Sequence, residues 1–302
     1  MNHGPSAGRM QPIFRFAPSP NGYLHRGHAY SALLNAELAA GWGGRFLLRI
    51  EDIDATRCRP HFEEAIYEDL AWLGLRWETP VLLQSAEGAV YAATLARLKE
   101  MRLLYPCAAS RQDIAAAVAA REAATGRSWP RDPDGAPRHP GLVPALDPAE
   151  AEARIAAGEP VAWRLDMARA LAMAGAVLTW RRFDPAGHEE DVVADPARWG
   201  DVVLARKDIG TSYHLAVVVD DARQGVTHVV RGGDLESATD LHRLLQVLLD
   251  LPAPRYHHHA LVSDPVGKKL AKSRRSEPLR DLRARGVTAD ALRRALGFAP
   301  PG

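Results

Sequence analysis

Two histidines at the predicted start of a helix are the first residues of this chain that could do chemistry. A short apolar segment at residues 13–17 is broken by two prolines and a glycine, and His25 and His28 follow with Gly27 between them. The start of a helix offers unpaired backbone N–H groups and the positive end of the helix dipole to phosphate oxygens. Glycine lets a ligand approach the backbone closely, and imidazole can donate a hydrogen bond. The pattern therefore predicts a phosphate-binding loop.

A lysine-rich segment far along the chain could supply the other half of such a site. Residues 268–273 read Lys-Lys-Leu-Ala-Lys-Ser. The ammonium groups of Lys269 and Lys272, held over a triphosphate, would stabilise the charge that develops during phosphoryl or nucleotidyl transfer. Either motif alone is also typical of a solvated surface loop. Both together, with the histidines directly after a strand, predict a nucleoside triphosphate site and adenylation by ATP.

The elements that would position these motifs predict an α/β fold. Strands and helices alternate in the first third of the chain, which favours a Rossmann-type parallel sheet with crossover helices. Glu51 directly follows the second strand, where open α/β sheets place ligands. Residues 214–221 form an apolar run typical of a central strand buried on both faces. The predicted helices are at residues 28–40, 60–73 and 89–101, and the other strands at 13–17, 46–50, 161–165, 200–204 and 226–230.

Composition along the chain predicts a catalytic domain that is interrupted by an insertion. Alanine-rich helical stretches and a loop rich in proline, glycine and aspartate replace the alternating pattern after residue 105, and the sheet is expected to resume near residue 200. The predicted divisions are a disordered lead-in at 1–11, the first half of the catalytic domain at 12–105, the insertion at 106–190, the second half at 191–250, and the lysine-rich loop with a short helical tail at 251–302.

Overall composition excludes several classes of protein. The 302 residues carry a formal net charge of +1, so charge alone does not indicate a nucleic-acid partner. No apolar run approaches the length that spans a membrane, and the N-terminus lacks a secretory leader. Two distant cysteines, Cys58 and Cys107, do not make a disulfide framework. We expect a cytoplasmic monomer that does not bind membranes.

Several segments resemble the class I aminoacyl-tRNA synthetases of the glutamyl type. The run RFAPSPNGYLHRGHA (15–29) resembles the family's glutamate-and-ATP motif, LLRIEDIDATR (47–57) its second catalytic strand, and KLAKS (269–273) its KMSKS-type loop. Residues 212–235 resemble the strand pair behind the amino-acid pocket. The resemblance extends over roughly residues 13–275, apart from part of the insertion, and implies the class I synthetase fold.

The resemblance also implies roles for individual residues. Arg15 and Arg231 match substrate-contacting arginines, and a guanidinium is a natural bidentate partner for a carboxylate. Glu51 matches the residue that receives the α-ammonium group of the amino acid. The implied glutamate contacts are Arg15, Phe16, Ala17, Pro18, Ser19, Glu51, Tyr213 and Arg231. The implied ATP contacts are His25, Gly27, His28 and Lys272, with Mg²⁺ accompanying ATP, and the implied catalytic residues are His25, His28, Lys269 and Lys272.

The residues after the KMSKS-type loop narrow the resemblance. Residues 274–302 are too few to form a second domain of ordinary size, so no anticodon-binding domain is expected. The chain therefore resembles the shorter paralogues of the glutamyl-Q tRNA(Asp) synthetase family. These activate L-glutamate with ATP and transfer it to queuosine, the modified base at the wobble position of tRNA(Asp). L-glutamate, ATP and tRNA(Asp) bearing queuosine are the expected partners.

The insertion departs from the family at positions where many members bind structural zinc. Cys107 stands at one such position, but Asp132 and Ala136 stand where a later pair is expected. One thiolate and one carboxylate cannot complete a tetrahedral site, so we expect no zinc and a half-buried, ordinary Cys107. The histidines at 257–259 are not expected to bind metal either, because neighbouring residues on a strand point to opposite faces.

Two other functions remain open. A small nucleotidyltransferase that adenylates a metabolite would also use a His-x-Gly-His loop, although the pocket residues Arg15, Glu51 and Arg231 argue against it. A catalytically silent paralogue that binds tRNA or a nucleotide would fit the altered insertion and the unusual Arg26. The intact histidines and lysines of the two motifs argue against that second alternative.

Overall fold

The computed structural model of the protein describes residues 11–139, 148–262 and 277–300. The strands are β1 (Ile13–Phe16), β2 (Arg45–Ile50), β3 (Glu78–Leu83), β4 (Leu104–Cys107), β5 (Ala162–Leu165), β6 (Thr179–Phe183), β7 (Glu189–Val193), β8 (Val203–Ala205), β9 (His228–Gly232) and β10 (Arg255–His259). The α-helices are α1 (Arg26–Gly41), α2 (Pro60–Trp72), α3 (Gly88–Glu100), α4 (Arg111–Thr125), α5 (Pro148–Ala156), α6 (Met167–Ala174), α7 (Tyr213–Arg223), α8 (Glu236–Leu249), α9 (Leu279–Ala284) and α10 (Ala289–Ala295). Within these ranges, no helix is long and apolar enough to cross a membrane.

Seven strands form one large sheet in the order β3-β2-β1-β9-β10-β6-β7. Its pairs are parallel except for β6 with β7, which is antiparallel. Helices connect the parallel strands, as such crossovers require. The predicted α/β fold with a Rossmann-type sheet is confirmed.

The chain changes direction at the centre of this sheet. From β1 it continues to β2 and β3 on one side, while β9 and β10 lie on the other side of β1. Phe14 of β1 is paired with both Phe46 of β2 and His228 of β9. In open α/β sheets, ligands bind at such a switch point, beyond the carboxyl ends of the strands. Arg15 in β1 and Arg231 in β9 therefore lie on the two strands that flank the expected crevice.

Helix α1 packs on the strands at this switch point. Its buried residues include Ala29 and Leu33, which are fully enclosed, and they share one apolar cluster with Phe14 and Leu48 of the sheet. Apolar residues at this spacing cover one side of a helix. The predicted helix at 28–40 is confirmed with slightly wider bounds. The helices predicted at 60–73 and 89–101 are confirmed with bounds that differ by at most one residue at each end.

The apolar run at residues 214–221 is a helix, so the prediction of a central strand there was wrong. Helix α7 begins after Ser212, whose side-chain oxygen accepts a hydrogen bond from the backbone N–H of Leu215 at 3.5 Å. The run is apolar on all sides because α7 is enclosed in a cluster that also holds side chains of α3 and α8. Apolar runs of this length do not distinguish a buried strand from a buried helix. The strand pair expected within residues 212–235 is therefore a helix followed by β9.

A second sheet accounts for another difference from the prediction. The segment at 200–204 was expected to rejoin the large sheet, but β8 pairs with β5 in a separate antiparallel sheet of order β4-β5-β8. Strand β6, which falls inside the predicted insertion, instead pairs with β10 in the large sheet. The strands predicted at 161–165 and 226–230 are confirmed as β5 and β9, whereas β3 and β4 were not predicted. The division into domains stays a prediction.

The tail of the chain packs on the loop before α1. The backbone N–H of Leu279 donates to the carbonyl oxygen of Leu24 at 2.7 Å, and Pro278 forms an isolated antiparallel bridge with His25. Leu279 and Leu282 of α9 are fully buried in the same cluster as α1. The chain that follows the lysine-rich segment is therefore attached directly to the His-x-Gly-His loop.

Candidate active site

The two histidines of the first motif cap α1 together. The Nδ1 atom of His25 accepts a hydrogen bond from the backbone N–H of Gly27 at 3.1 Å, and Nδ1 of His28 accepts one from the backbone N–H of His25, also at 3.1 Å. The two rings stack with their centroids 3.8 Å apart. A neutral imidazole whose Nδ1 accepts a hydrogen bond carries its proton on Nε2. In the neutral form, both rings are thus set to donate from Nε2, as phosphate binding requires.

Gly27 makes room for the capping ring. A Cβ atom at this position would lie 3.0 Å from Cε1 and 3.2 Å from Nδ1 of His25. These distances are shorter than ordinary van der Waals contact, so a side chain at position 27 would push the His25 imidazole by a few tenths of an ångström. The steric need for glycine therefore comes from the neighbouring histidine. The predicted contact of Gly27 with ATP stays a prediction.

Asp221 joins the arginines of two neighbouring strands. Nε of Arg15 donates to Asp221 at 3.0 Å, and Nη1 of Arg49 donates to the same carboxylate at 2.7 Å. Arg49 also donates to Glu51 at 3.1 Å. All four side chains are buried, so each charge needs a partner. The resulting ionic chain holds Arg15 at the carboxyl edge of the sheet, beside Glu51.

The pKa values of the two carboxyl groups in this ionic chain, Asp221 and Glu51, are shifted in opposite directions. Burial by itself would raise the pKa of Asp221, but the charges of Arg15 and Arg49 outweigh burial and hold the pKa below its usual value. Burial raises the pKa of Glu51 above its usual value in spite of Arg49. The ionised form of Glu51 would therefore gain from one further cation. An α-ammonium group bound beside Glu51 would supply it.

Arg231 lies on the other side of the switch point among neutral groups. Its Nη2 atom donates to the hydroxyl of Thr239 at 2.8 Å, and its Nη1 atom donates to the hydroxyl of Tyr213 at 3.3 Å. Burial raises the pKa of Tyr213, so its hydroxyl stays protonated. Arg231 is 5% exposed, and its described partners include no carboxylate. A buried guanidinium that has no carboxylate partner attracts an anionic ligand.

A cavity of about 110 Å³ opens between these groups. It combines residues of the first loop, the segment after β2 and the start of α7. Its lining consists of Ser19, Asn21, Glu51, Ile53, Asp54, Arg57, Cys58, Gln84, Arg206 and Tyr213. The structure therefore places Ser19, Glu51 and Tyr213 around one space, which neither Arg15 nor Arg231 lines. Arg231 is bonded to Tyr213, and Arg15 is joined to Glu51 through Asp221 and Arg49. A larger groove of about 440 Å³ lies between Tyr23, α2 and α9, and no predicted glutamate contact lines it.

The rest of the predicted site is described only in part. Phe16 ends β1, and the carbonyl oxygen of Pro18 accepts a hydrogen bond from the backbone N–H of Glu51 at 3.0 Å, which joins the loop after Ala17 to the end of β2. Lys269 and Lys272 lie outside the described residues. The convergence of their ammonium groups with the two histidines therefore stays a prediction.

Several charged residues of the site were not predicted from the sequence, among them Arg49, Asp220 and Asp221. Arg49 stands inside the buried strand β2, and Asp220 and Asp221 end the apolar run of α7. Asp220 accepts hydrogen bonds from Gln84 and from the hydroxyl of Tyr91, each at 2.8 Å. A charged residue inside an apolar element was the available signal, because a buried charge requires a partner elsewhere in the fold.

Hydrogen bonds join the two positions in the insertion where the family resemblance expected cysteines. The backbone N–H of Asp132 donates to the carbonyl oxygen of Ala136, and the backbone N–H of Ala136 donates to the Asp132 carboxylate, both at 2.8 Å. Cys107 is buried, not half-buried, and its sulfur lies 3.7 Å from Nε2 of His139. Burial lowers the pKa of His139 to about 4. Within the described ranges, no group of three or more His, Cys, Asp or Glu side chains could hold a metal ion.

The three consecutive histidines of β10 have separate partners. Nδ1 of His257 lies 3.0 Å from the carbonyl oxygen of Phe183, Nε2 of His258 lies 3.0 Å from the Thr239 hydroxyl, and Nδ1 of His259 lies 3.0 Å from the carbonyl oxygen of Ala260. Alternation along the strand separates them, as expected. Of the three, His258 contacts Arg231, whose Nε lies 3.4 Å from its Nε2. The absence of a metal at this triplet and in the insertion stays a prediction.

Comparison with known proteins identifies the family of this chain. The family model described as tRNA synthetases class I (E and Q), catalytic domain, matches residues 13–298. The chain therefore belongs to this family. Its members carry the catalytic domain whose sheet and switch-point pocket are described above.

Individual relatives place the chain more narrowly within the family. It is 45% identical to glutamyl-Q tRNA(Asp) synthetase of Rhodobacter capsulatus, over 95% of this chain and 100% of the relative. It is 39% identical to the protein of the same name from Symbiobacterium thermophilum, over 92% of this chain and 83% of the relative. Glutamate-tRNA synthetase of Elizabethkingia anophelis has a similar structure, with a TM-score of 0.68 at 27% identity over 91% of this chain. The chain spans about half of that solved synthetase, 54% of its length.

Proposed function

We propose that the protein activates L-glutamate with ATP and transfers the glutamyl group to the queuosine base of tRNA(Asp). The relatives that match it over most of their length carry the name glutamyl-Q tRNA(Asp) synthetase. The observation that carries the choice of glutamate is the cavity lined by Glu51 and Tyr213, because Arg231 donates a hydrogen bond to Tyr213 and Arg15 is joined to Glu51 through Asp221 and Arg49. L-glutamate has two carboxylates and one ammonium group. One carboxylate would complement Arg231 and the ammonium group Glu51, and the second carboxylate could accept a hydrogen bond from Arg15, which is already paired with Asp221.

The charge state of each group supports this fit. Arg231 has a hydrogen-bonded shell of neutral acceptors and can still receive a carboxylate. Glu51 has a raised pKa and would be stabilised as an anion by an incoming ammonium group. The bound amino acid would therefore satisfy charges that the folded protein buries at a cost. Neutral or cationic amino acids would leave Arg231 without a counter-charge.

In the first proposed step, an α-carboxylate oxygen of glutamate attacks the α-phosphorus of ATP, and the bond to the leaving pyrophosphate breaks. His25 and His28 would donate hydrogen bonds from Nε2 to phosphate oxygens, and Lys269 and Lys272 would stabilise the developing charge. Mg²⁺ bound to ATP would supply further positive charge at the phosphates. The attachment of Pro278 to His25 supports this assignment, because Lys272 is six residues from Pro278 and a chain reaches at most about 3.5 Å per residue.

In the second proposed step, a hydroxyl of the queuosine cyclopentene ring attacks the glutamyl carbonyl carbon and AMP leaves. The bond to AMP breaks as the ester to the base forms. No side chain is assigned as the general base. Because ATP and tRNA are cytoplasmic substrates, the proposal includes a cytoplasmic location. We also expect a monomer, which light scattering of the purified protein can check.

Exchange between pyrophosphate and ATP tests the first step without tRNA. We expect L-glutamate to drive exchange, and L-aspartate and L-glutamine to drive little. Transfer is then tested with radiolabelled glutamate and two samples of tRNA(Asp), one carrying queuosine and one transcribed without modification. Only the modified tRNA should be labelled. Equal labelling of the transcript would contradict the base acceptor, and exchange driven equally by other amino acids would contradict glutamate activation.

The variant Lys272→Ala tests the role of the lysine-rich segment. Loss of a cation that acts on the transition state should lower the rate of glutamate-dependent exchange by at least about tenfold. Lys268→Ala is the matched control, because it removes the same charge from the same segment at a position with no assigned role. Similar rates for the two variants would contradict the assignment of Lys272.

A further inference from the structure

Four neutral groups hold the guanidinium of Arg231. Its Nη2 atom donates to Oγ1 of Thr239 at 2.8 Å, and Nη1 lies 3.3 Å from the Tyr213 hydroxyl and 3.4 Å from Nδ1 of His242. Its Nε atom lies 3.4 Å from Nε2 of His258. A guanidinium can only donate hydrogen bonds, so each partner atom acts as an acceptor here. Its described partners are therefore all uncharged acceptors.

The imidazoles in this shell stay neutral because of where they lie. Burial lowers the pKa of His242 well below its usual value, and the charge of Arg231 lowers it further. The same two causes lower the pKa of His258 and bring that of His214 to about 4. With Nδ1 of His242 accepting from Arg231, its Nε2 carries the proton and faces Nδ1 of His214 at 3.2 Å. Protonation of any of these rings near pH 7 would add a cation beside Arg231.

Helix α8 supplies the two most buried members of the shell. Thr239 is 0% exposed and His242 is 2% exposed, and both come from the first half of α8, directly after β9. Thr239 also contacts Nε2 of His258 at 3.0 Å, which links the helix to β10. The position of Arg231 is thus set by α7, α8 and β10 together. Arg231, Thr239 and His242 do not line the cavity themselves, but Tyr213, to which Arg231 donates, does.

Arg15 and Arg231 differ in whether a partner within the protein carries a negative charge. Arg15 is bonded to the Asp221 carboxylate, so its charge is already compensated inside the protein. The acceptors around Arg231 satisfy its N–H groups but leave its charge without a counter-ion. Such a cation gains much more from a carboxylate than from a neutral amide, because charge-assisted hydrogen bonds are the stronger ones.

We propose that His242 and Thr239 are positioning residues that hold Arg231 in an uncompensated state, and that they thereby make the pocket select glutamate over glutamine. This role rests on the proposed function, since glutamate is the proposed substrate. A carboxylate at position 242 would close an internal ion pair with Arg231. The substrate carboxylate would then have to compete with that pair, and the advantage of glutamate over its amide would shrink.

The variants His242→Asp and His242→Asn test this role in glutamate-dependent exchange. Asp places a carboxylate near Arg231, whereas the amide oxygen of Asn can take the position of the accepting Nδ1 without adding charge. We expect the Asp variant to raise the KM for glutamate by about tenfold or more, and to lower the ratio of kcat/KM for glutamate to that for glutamine by a similar factor. The Asn variant should change both much less, and the KM for ATP should stay nearly constant in both.

A second pair, Thr239→Val and Thr239→Ser, does not introduce a charge and applies even if the Asp variant fails to fold. Val keeps the shape of Thr but removes the acceptor for Nη2, so the KM for glutamate should rise severalfold. Ser restores the hydroxyl and should recover most of the affinity. Thermal unfolding of each variant separates these effects from loss of the folded protein.

The outcomes distinguish a failure of the proposed function from a failure of the role proposed for His242 and Thr239. If the unaltered protein shows no glutamate-dependent exchange, the proposed function fails, and the role of the shell fails with it. If the unaltered protein is active but His242→Asp matches His242→Asn, and Thr239→Val matches Thr239→Ser, the proposed role of these residues is overturned and the proposed function stands.

Discussion

A buried arginine next to the cavity has no carboxylate partner, whereas a buried carboxylate between α2 and the tail has no hydrogen-bonded arginine. Next to the cavity, the described partners of Arg231 are neutral acceptors. At the interface, Asp69 of α2 is fully buried and neither of its oxygens has a hydrogen-bond partner among the described residues. Its ion-pair partner among the described residues is Arg283 of α9, whose Nη2 atom lies 3.7 Å from Oδ1 of Asp69.

The difference lies in what can neutralise each charge. Arg231 lies at the carboxyl edge of a parallel sheet beside a cavity, so a ligand can bring the missing anion. Asp69 is fully buried and does not line the groove between α2 and α9, so apart from Arg283 at 3.7 Å a proton is the available counter-charge. Burial raises the pKa of Asp69 to about 6; Arg283 and Arg280 oppose the rise, and Glu68 and Asp281 add to it. The two regions therefore differ in the sign of the buried charge and in its hydrogen-bonded shell, which Arg231 has and Asp69 lacks.

The largest effect is expected where one carboxylate compensates two arginines. Asp221→Asn would leave both Arg15 and Arg49 short of a counter-charge, and breaking a buried pair in this way costs about 3–5 kcal/mol of stability. Urea denaturation at pH 7.5 measures the loss. Because the pKa of Asp221 is lowered in the folded state, its contribution is present above the ordinary aspartate range. The difference between variant and unaltered protein should narrow only as pH falls below that range.

The control for that prediction is Asp191→Asn, which removes a carboxylate from an exposed ion pair with Arg181. Exposed pairs contribute at most about 1 kcal/mol. If the two substitutions cost the same, the ionic chain behind the pocket is not a significant source of stability.

The next largest effect is expected at the uncompensated arginine. Arg231→Ala should raise the KM for glutamate by about a hundredfold, since truncating one partner of a buried hydrogen-bonded charge pair costs about 2–5 kcal/mol. The KM for ATP should change little, because the phosphate motifs lie on other segments. Glutamate-dependent exchange at varied concentrations of each substrate gives both values. Arg181→Ala, on the exposed β6–β7 hairpin, is the control, and an equal rise in both KM values would contradict a specific role.

The smallest effect is expected at the carboxylate that a ligand cannot reach. Asp69→Asn should stabilise the protein at pH 7.5 by about 1 kcal/mol, because the amide removes the additional cost of burying an ionised group while it keeps the cost of a polar group without partners. Since its folded-state pKa is raised to about 6, the cost builds up as pH rises from the ordinary aspartate range to 6. The gain should therefore disappear near pH 4.

Thermal unfolding at pH 4, 6 and 7.5 measures this pH dependence. Glu64→Gln, on the exposed side of the same helix, should show no such pH dependence. A constant difference between Asp69→Asn and the unaltered protein at all three pH values would mean that Asp69 does not titrate as described.

Much of the sheet could be predicted because its first strands have clear local boundaries. Prolines follow β1 and glycines precede β2, and the helix between them has apolar residues at helical spacing. Strand β3 was missed because it lies at the edge of the sheet, where residues such as Pro80 are tolerated and burial is partial. Helix α7 was misread because a wholly buried helix has no polar side, so its periodicity is hidden.

The candidate site could be predicted only for residues within local motifs. Arg15 and Glu51 stand beside strand ends, and Tyr213 and Arg231 matched a family pattern, so the sequence indicated all four. Asp221 was not predicted, because its role depends on bonds to residues that are 172 and 206 positions away in the chain. Such pairings leave no local pattern.

The sequence by itself determined the kinds of charge in this protein and the elements that carry them, because apolar periodicity, prolines, glycines and helix caps act within a few residues. It placed arginines on strands β1 and β9 and histidines at the start of α1. Only the tertiary structure decided which of those charges are compensated. Packing brought Asp221 to Arg15 and gave Arg231 neutral neighbours from α7, α8 and β10. Pairing across the fold depends on distance in space, and that distance exists only after the chain has folded.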